Sequence, residues 1–260
     1  MRVVSLVPSI TETLVACGVD SRELVGRTDW CVRPLELLEE IPACGGTKNP
    51  RLARVLELQP DLVLMDAEEN RREDCEALRA AGLEVHAFHV CSVREASACV
   101  RTLGGLVGRV REAEDLALDI ETSLGEVATA VAQGPRPRLI PLVWHQPLMS
   151  VAPTRYTGDL LVCAGFEVLS KGDAGYPRWT LHELAAARPD VLLLSEEPHD
   201  FTVEEAADLR AALGARGLSS TRVVKWEAGH ELTWFGVSTR EALRHFAELR
   251  AQCALPSRPC

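Results

Sequence analysis

Apolar residues in this chain come either as short continuous runs or as helix-period stretches, and the two kinds alternate along its length. Residues 3–7 form a β-branched run that reads as a buried strand; Pro8 and the capping-box spacing Ser9-x-x-Glu12 then predict a helix start. Gly18 stops that helix, and a second short strand is expected at Leu24–Gly26. The turn-rich stretch "IPACGGTKNP" leads through Asn49-Pro50 into a helix that ends before Pro60. Residues 62–65 are apolar without alternation, as in a strand covered on both faces. "RREDCEALRAAG" reads as a helix closed by Gly82, and "LEVHAFHV" as the next strand. Alternation of this kind predicts a mostly parallel sheet flanked by helices.

From Ser92 to about Ala132 the pattern becomes purely helical and contains no proline, about 60 Å of chain if wound into one straight helix. Gly104-Gly105 and Gly108 mark the place for a break. "GPRPR" ends the segment, and the grammar of the first part returns: "RLIPLVW" as a strand, "RYTGDLLVCAGF" and "WTLHELAAARPD" as helices, "VLLLS" as a buried strand. The expected architecture is α/β, with two Rossmann-like lobes of mostly parallel sheet joined by a long backbone helix. The boundaries fall at an N-terminal α/β lobe 1–91, an interlobe helix 92–133 and a C-terminal α/β lobe 134–260.

One phrase nearly repeats. "PDLVLMDAEEN" from Pro60 and "PDVLLLSEEPHD" from Pro189 lie 129 residues apart, and both end in a glutamate pair, Glu68-Glu69 and Glu196-Glu197. Helix–Pro–Asp–strand is common in α/β chains; the shared acidic ending is less so. Ligands of open α/β sheets bind outside the carboxyl ends of strands, so the two endings could face one cleft. At least one glutamate of each pair is also expected simply to start a helix, where the macrodipole favours acidic residues.

Charge narrows the partners. A net charge of −10 over 260 residues, pI about 5.3, and no Lys/Arg run argue against nucleic acid and anionic membrane surfaces. No run of about 18 apolar residues exists, so no membrane insertion is expected. Nine cysteines without a C-x-x-C pair fit neither a zinc ribbon nor a disulfide framework and read as reduced thiols. "MRVVSLVPSITETL" is too short in its apolar run for a signal peptide, which places the chain as written in the cytoplasm, or in the periplasm or outside the cell if it begins at a mature domain. No G-x-S-x-G elbow, Walker A loop or G-x-G-x-x-G follows the first strand, and Cys31 has no base beside it, so no catalytic residue is assigned.

Two α/β lobes bridged by a helix resemble the helical-backbone (class III) periplasmic binding proteins. The stretches "RVVSLVPSITETLVACG", "GGTKNPRLARVLELQPDLVL", "TGDLLVCAGFEVLSKGDAGYPRWTLHELAAARPDVLLLSEEP" and "LTWFGVSTREAL" are similar to the vitamin B12-binding branch that serves cobalamin ABC importers. That resemblance implies a non-catalytic binding protein holding cobalamin, a related corrinoid or a similar metal chelate between the lobes. The same class serves haem, siderophores and metal ions. The implied ligand contacts are Trp30, Thr47, Lys48, Trp144, His145, Arg155, Tyr176, Trp234 and Phe235, flat side chains that give large contact area at little entropic cost. Where the family carries tryptophans, the "GGTKNP" loop has small and polar residues and Tyr176 stands in for another, changes that would resize the cleft.

By position, Glu68 and Glu197 match the pair through which the family docks onto transporter arginines, so a transporter-like or other basic protein partner is implied; a cytosolic chain would need a different one. The same residues admit other readings. The aromatics can be core residues, as is expected for Trp179 and Trp226, and Arg155 and Lys48 can face solvent. His145 and His230 can ligate cobalt, iron or zinc through neutral imidazoles or be ordinary loop histidines. A metal-handling protein or enzyme on this fold, using His145, His230 and the cleft glutamates, is the alternative; adding Glu68, Glu197 and His199 makes a hard-metal site conceivable, although no H-E-x-x-H or other ligand spacing supports it. His86 and His89 are expected to be structural.

Overall fold

The computed structural model describes residues 1–172 and 174–254; Asp173 and Cys260 lie outside them. In chain order the elements are β1 (Val3–Ser5), α1 (Pro8–Ala16), β2 (Leu24–Gly26), α2 (Leu35–Leu38), α3 (Leu52–Glu57), β3 (Leu62–Asp66), α4 (Arg72–Ala80), β4 (Val85–Phe88), α5 (Val93–Val107) and α6 (Val110–Val131). There follow β5 (Arg138–Trp144), β6 (Leu148–Ser150), α7 (Tyr156–Cys163), β7 (Glu167–Val168), β8 (Arg178–Trp179), α8 (Leu181–Ala187), β9 (Val191–Leu194), α9 (Val203–Gly214), β10 (Arg222–Lys225), α10 (Gly229–Thr233) and α11 (Thr239–Ala254). The alternation of strand and helix is the one expected.

The chain divides into two compact units. The first takes Met1–Val90, Arg94–Ile120 and Trp234–Ser238; the second takes Cys91–Val93, Glu121–Thr233 and the described residues from Thr239 on. The first unit holds an all-parallel sheet in the order β2-β1-β3-β4. Its strands are short and apolar, and Val4, Leu6, Val63 and Met65 pack with Val55, Cys75 and Leu78 from the covering helices. The second unit holds a sheet in the order β10-β9-β5-β6-β8, with β7 pairing parallel to β5. Here β9, β10 and β7 run parallel to their neighbours, while β6 and β8 form antiparallel pairs. Ile140, Leu142, Leu192 and Leu194 face Leu184, Phe201, Leu209 and Leu213 in its core.

Proline inside a central strand usually breaks a ladder. Pro141 of β5 escapes because it sits where the partner along one edge changes. Leu169 N–H donates to Leu139 O at 2.8 Å, Val151 N–H donates to Pro141 O at 3.2 Å, and the missing proline N–H falls at the handover from β7 to β6.

The helical segment 92–133 is two helices, not one rod. Gly108, at φ +69°, ends α5, and α6 starts two residues later. Gly104 permits the close turn: a Cβ there would lie 2.2 Å from Ala113 Cβ, and Gly104 O accepts from Arg109 N–H at 2.7 Å. The 22-residue α6 then runs from the first unit into the second.

Two expected helix starts are corrected. Ser9-x-x-Glu12 forms no capping box: α1 begins at Pro8, with Val7 as N-cap and no side-chain cap. Proline is pre-organised for the first helical position, so the start moves forward and Ser9 is buried inside the first turn. Glu12 turns instead to Arg33, at 2.9 Å, and accepts from Ser238 Oγ at 2.5 Å. The glutamate pairs also start no helix, since α4 opens at Arg72 and α9 at Val203. Capping boxes do form at Thr180/Glu183 and Thr202/Glu205.

Candidate functional site

In both units the carboxyl ends of the central strands are built by the same local rule. Before β3 and β9 stands a left-handed residue, Gln59 at φ 44° and Arg188 at φ 47°, followed by proline and aspartate. Asp61 Oδ2 accepts from Arg2 N–H at 2.6 Å, and Asp190 Oδ2 accepts from Arg138 N–H at 2.8 Å, so each aspartate caps the entry of the neighbouring strand. At the far end a small polar side chain folds the turn: Asp66 Oδ1 accepts from Glu68 N–H at 2.8 Å, and Ser195 Oγ accepts from Glu197 N–H at 3.1 Å. These are side-chain turns of the kind short polar residues favour. The repeated phrase is therefore repeated in its hydrogen bonds.

In the first unit, three strand-end segments meet at Asn70. Its Nδ2 donates to Leu6 O at 3.0 Å and to Thr47 O at 2.9 Å, and its Oδ1 accepts from Asp66 N–H at 2.9 Å. Thr47 and Lys48 are held beside the β3 turn, and Lys48 Nζ donates to Glu68 O. Trp30 follows β2 and is 64% exposed. Its Nε1 would lie 3.1 Å from a Cβ at Gly46, so the indole lies close against the Gly45-Gly46 loop. Glu68 is half-buried, 3.8 Å from His89 Nε2.

Desolvation pushes the Asp66 carboxyl up, opposed by the two turn N–H groups. Cys31 is buried between the Thr11 and Thr28 hydroxyls, each 3.1 Å from Sγ, and burial raises its thiol above the usual range. Burial likewise pushes the Cys17 thiol up to about 11. Cys17, Cys31, Cys44, Cys75, Cys99 and Cys253 form no disulfide. Trp234 and Phe235 also belong to this unit and are buried.

In the second unit, Trp144 ends β5, 42% exposed, with Nε1 donating to Gln146 O at 3.1 Å. Tyr176, 41% exposed, lies with its ring centroid 6.0 Å from Arg155 Cζ. Arg155 precedes α7 and fills the space a side chain at Gly175 would need, since a Cβ there would come within 2.2 Å of Arg155 Nε. Its Nη1 also approaches Cys91 Sγ at 3.8 Å. Glu197 Oε2 accepts from Thr233 Oγ1 at 3.2 Å, and Glu196 Oε2 accepts from Gly229 N–H at 3.1 Å.

His145 reaches Glu205 at 2.7 Å rather than His230, which lies half-buried in α10. Glu205 also meets His199, at 3.1 Å. The sequence admits His199 as a possible metal ligand together with Glu68 and Glu197; the structure sets it on Glu205, which sequence reasoning missed and for which Thr202-x-x-Glu205 is the legible signal. Trp179 is a core residue as expected, donating to Ser150 Oγ at 2.8 Å, whereas Trp226 is half-buried and packs on Phe246 at 4.5 Å. His86 packs on Phe88 at 4.4 Å.

Two Rossmann-like α/β units linked by a helix, with flat side chains at strand carboxyl ends and buried inert thiols, define the fold class of the helical-backbone binding proteins. The chain belongs to the periplasmic binding protein family, whose model matches residues 3–211. It is 23% identical over 199 residues to the vitamin B12-binding protein of Vibrio vulnificus (strain YJ016), covering 76% of this chain and 71% of that one. Its fold is shared with the periplasmic vitamin B12 binding protein BtuF of Vibrio cholerae (TM-score 0.83, 18% identity, 97% of each chain). It is shared equally with the periplasmic heme-binding protein BhuT, solved with two hemes (TM-score 0.81, 24% identity, 98% of this chain and 99% of that one). Such relatives are periplasmic, which gives the cytoplasmic expectation no support. Among the described residues no helix is long and apolar enough to cross a membrane.

Proposed function

We propose that this chain is a receptor for a metal tetrapyrrole, a corrinoid such as cobalamin in the first place, that binds without catalysis. The observation that carries the reading is the exposure of Trp30, Trp144 and Tyr176 at or beside strand ends, in a family with relatives named for vitamin B12 and for heme. Large aromatics left in solvent at strand ends are poor core residues and good platforms for a flat ring. Thr47, Lys48, His145 and Arg155 supply polar contacts for side-chain amides or carboxylates of the ligand. Trp234 and Phe235 act from beneath, as packing for the segment between α10 and α11.

The test is an absorbance titration of the full chain with cyanocobalamin and, separately, with haemin. A Kd in the micromolar range or tighter for cyanocobalamin is expected, with Trp30→Ala and Trp144→Ala each costing about 1–2 kcal/mol, five- to thirty-fold. Haemin binding alone would move the reading to the haem branch. No binding of either at about 100 μM overturns it. On the same resemblance, Glu68 and Glu197 dock a basic transporter surface. Reversing both charges should abolish transfer to the transporter and leave ligand affinity unchanged.

A further inference from the structure

His145, His199 and Glu205 come from three separate segments of the second unit: the turn after β5, the loop after β9, and the third residue of α9. Their ligand atoms all lie within 4.8 Å of one another. Nδ1 of His145 is 2.7 Å from Glu205 Oε1, and Nε2 of His199 is 3.1 Å from Glu205 Oε2. The imidazole rings are stacked at 25° with centroids 5.9 Å apart, and the ring of fully buried Phe201 stands edge-on behind both. The carboxylate is itself held, because Thr202 N–H donates to Oε2 at 2.9 Å while Thr202 Oγ1 accepts from Glu205 N–H at 3.1 Å. Those groups keep Glu205 below the usual carboxylate range, the Thr202 N–H first and then the two imidazoles.

We propose that His145, His199 and Glu205 form a binding site for a divalent transition-metal ion of the zinc class, one that has His145 in common with the tetrapyrrole contacts. Two imidazoles and one carboxylate suit Zn²⁺, Co²⁺ or Ni²⁺. Zinc–ligand bonds of about 2.0–2.2 Å require donors about 3.3 Å apart in tetrahedral geometry, a separation lying between the hydrogen-bonded contacts and the outer limit of this cluster. Small ring rotations suffice. The three side chains keep 24%, 27% and 21% of their surface exposed, so a water completes the coordination and the ion has an entry path. Thr202 N–H supplies the outer hydrogen bond that orients the carboxylate. Because the ion competes with protons for both imidazoles, affinity falls on acidification.

The experiment is calorimetric titration of chelator-stripped full chain with Zn²⁺ alone, paired with the visible spectrum of the Co²⁺ form. One ion per chain and a Co²⁺ spectrum typical of nitrogen and oxygen donors are expected. His199→Ala should weaken binding by at least about tenfold and leave the cyanocobalamin or haemin titration unchanged. Glu205→Gln keeps a capping-box partner and therefore the helix start, yet should weaken Zn²⁺ comparably. No uptake of Zn²⁺, or uptake that both variants leave intact, overturns the proposal. Loss of zinc with tetrapyrrole binding preserved supports it whatever the outcome of the corrinoid reading.

Discussion

The strand ends after Pro60 and after Pro189 start from one plan and finish differently. Up to the side-chain turn the two copies match atom for atom in role: left-handed residue, proline, capping aspartate, buried strand, polar turn former. Beyond it, the first copy closes at once through Asn70 and enters α4. The second runs two residues longer, through Pro198, His199, Asp200, the buried Phe201 and Thr202, before α9. The preceding strands differ in the same sense: β1 runs into α1 within two residues, whereas β5 turns into the hairpin with β6. The shared part is framework, and the longer second ending contributes His199, which with His145 places two imidazoles on the Glu205 carboxylate. Capping follows the division only in part: α1 to α4 and, in the second unit, α7 have no side-chain cap, while α8 and α9 open with capping boxes.

The equivalence of the two frameworks is most strongly tested in the strand cores. Leu64 and Leu193 occupy matching positions and are fully buried. Leu64→Ala and Leu193→Ala should each cost about 3–4 kcal/mol, read as a fall in the denaturant midpoint; a loss confined to one of them breaks the equivalence. A smaller effect separates the aspartate caps. Asp61→Ala and Asp190→Ala each remove one charged acceptor from a strand-entry N–H and should cost about 1–2 kcal/mol in the same measurement. The smallest effect belongs to the second unit alone and disappears in acid. Glu183, bonded to Lys171 at 2.5 Å and to the Thr180 N–H, has its carboxyl held down to about 2. Its folded value is depressed, so the stabilisation is full above the ordinary carboxylate range and is lost as pH falls toward about 2. Glu183→Gln should therefore lower Tm at pH 6 and converge on the unmodified chain near pH 2.

Continuous apolar runs such as residues 62–65 and "VLLLS" were legible as buried strands because burial on both faces leaves no alternation to misread. Position was legible too, since the Pro60/Pro189 superposition paired Glu68 with Glu197, which the turns at Asp66 and Ser195 bear out. The equivalence of Asp66 and Ser195 was not, because a carboxylate and a hydroxyl share only the ability to accept one N–H. Ser9-x-x-Glu12 misled, as proline at the first helical position outcompeted the serine. His145 and His199 were legible as possible metal ligands, but their meeting on Glu205 was not, because the three lie up to 60 residues apart and come together through the sheet order that sets β9 beside β5.

Asn70 gives the first unit a property that concerns ligands more than stability. One amide fixes Leu6, Thr47 and Asp66 together, so the segment bearing Lys48 gave up its conformational freedom when the chain folded. On the proposed reading, a ligand arriving there would meet a wall already set. Little ordering entropy would then be charged to the binding step, and affinity on this side would depend on shape match from the first encounter.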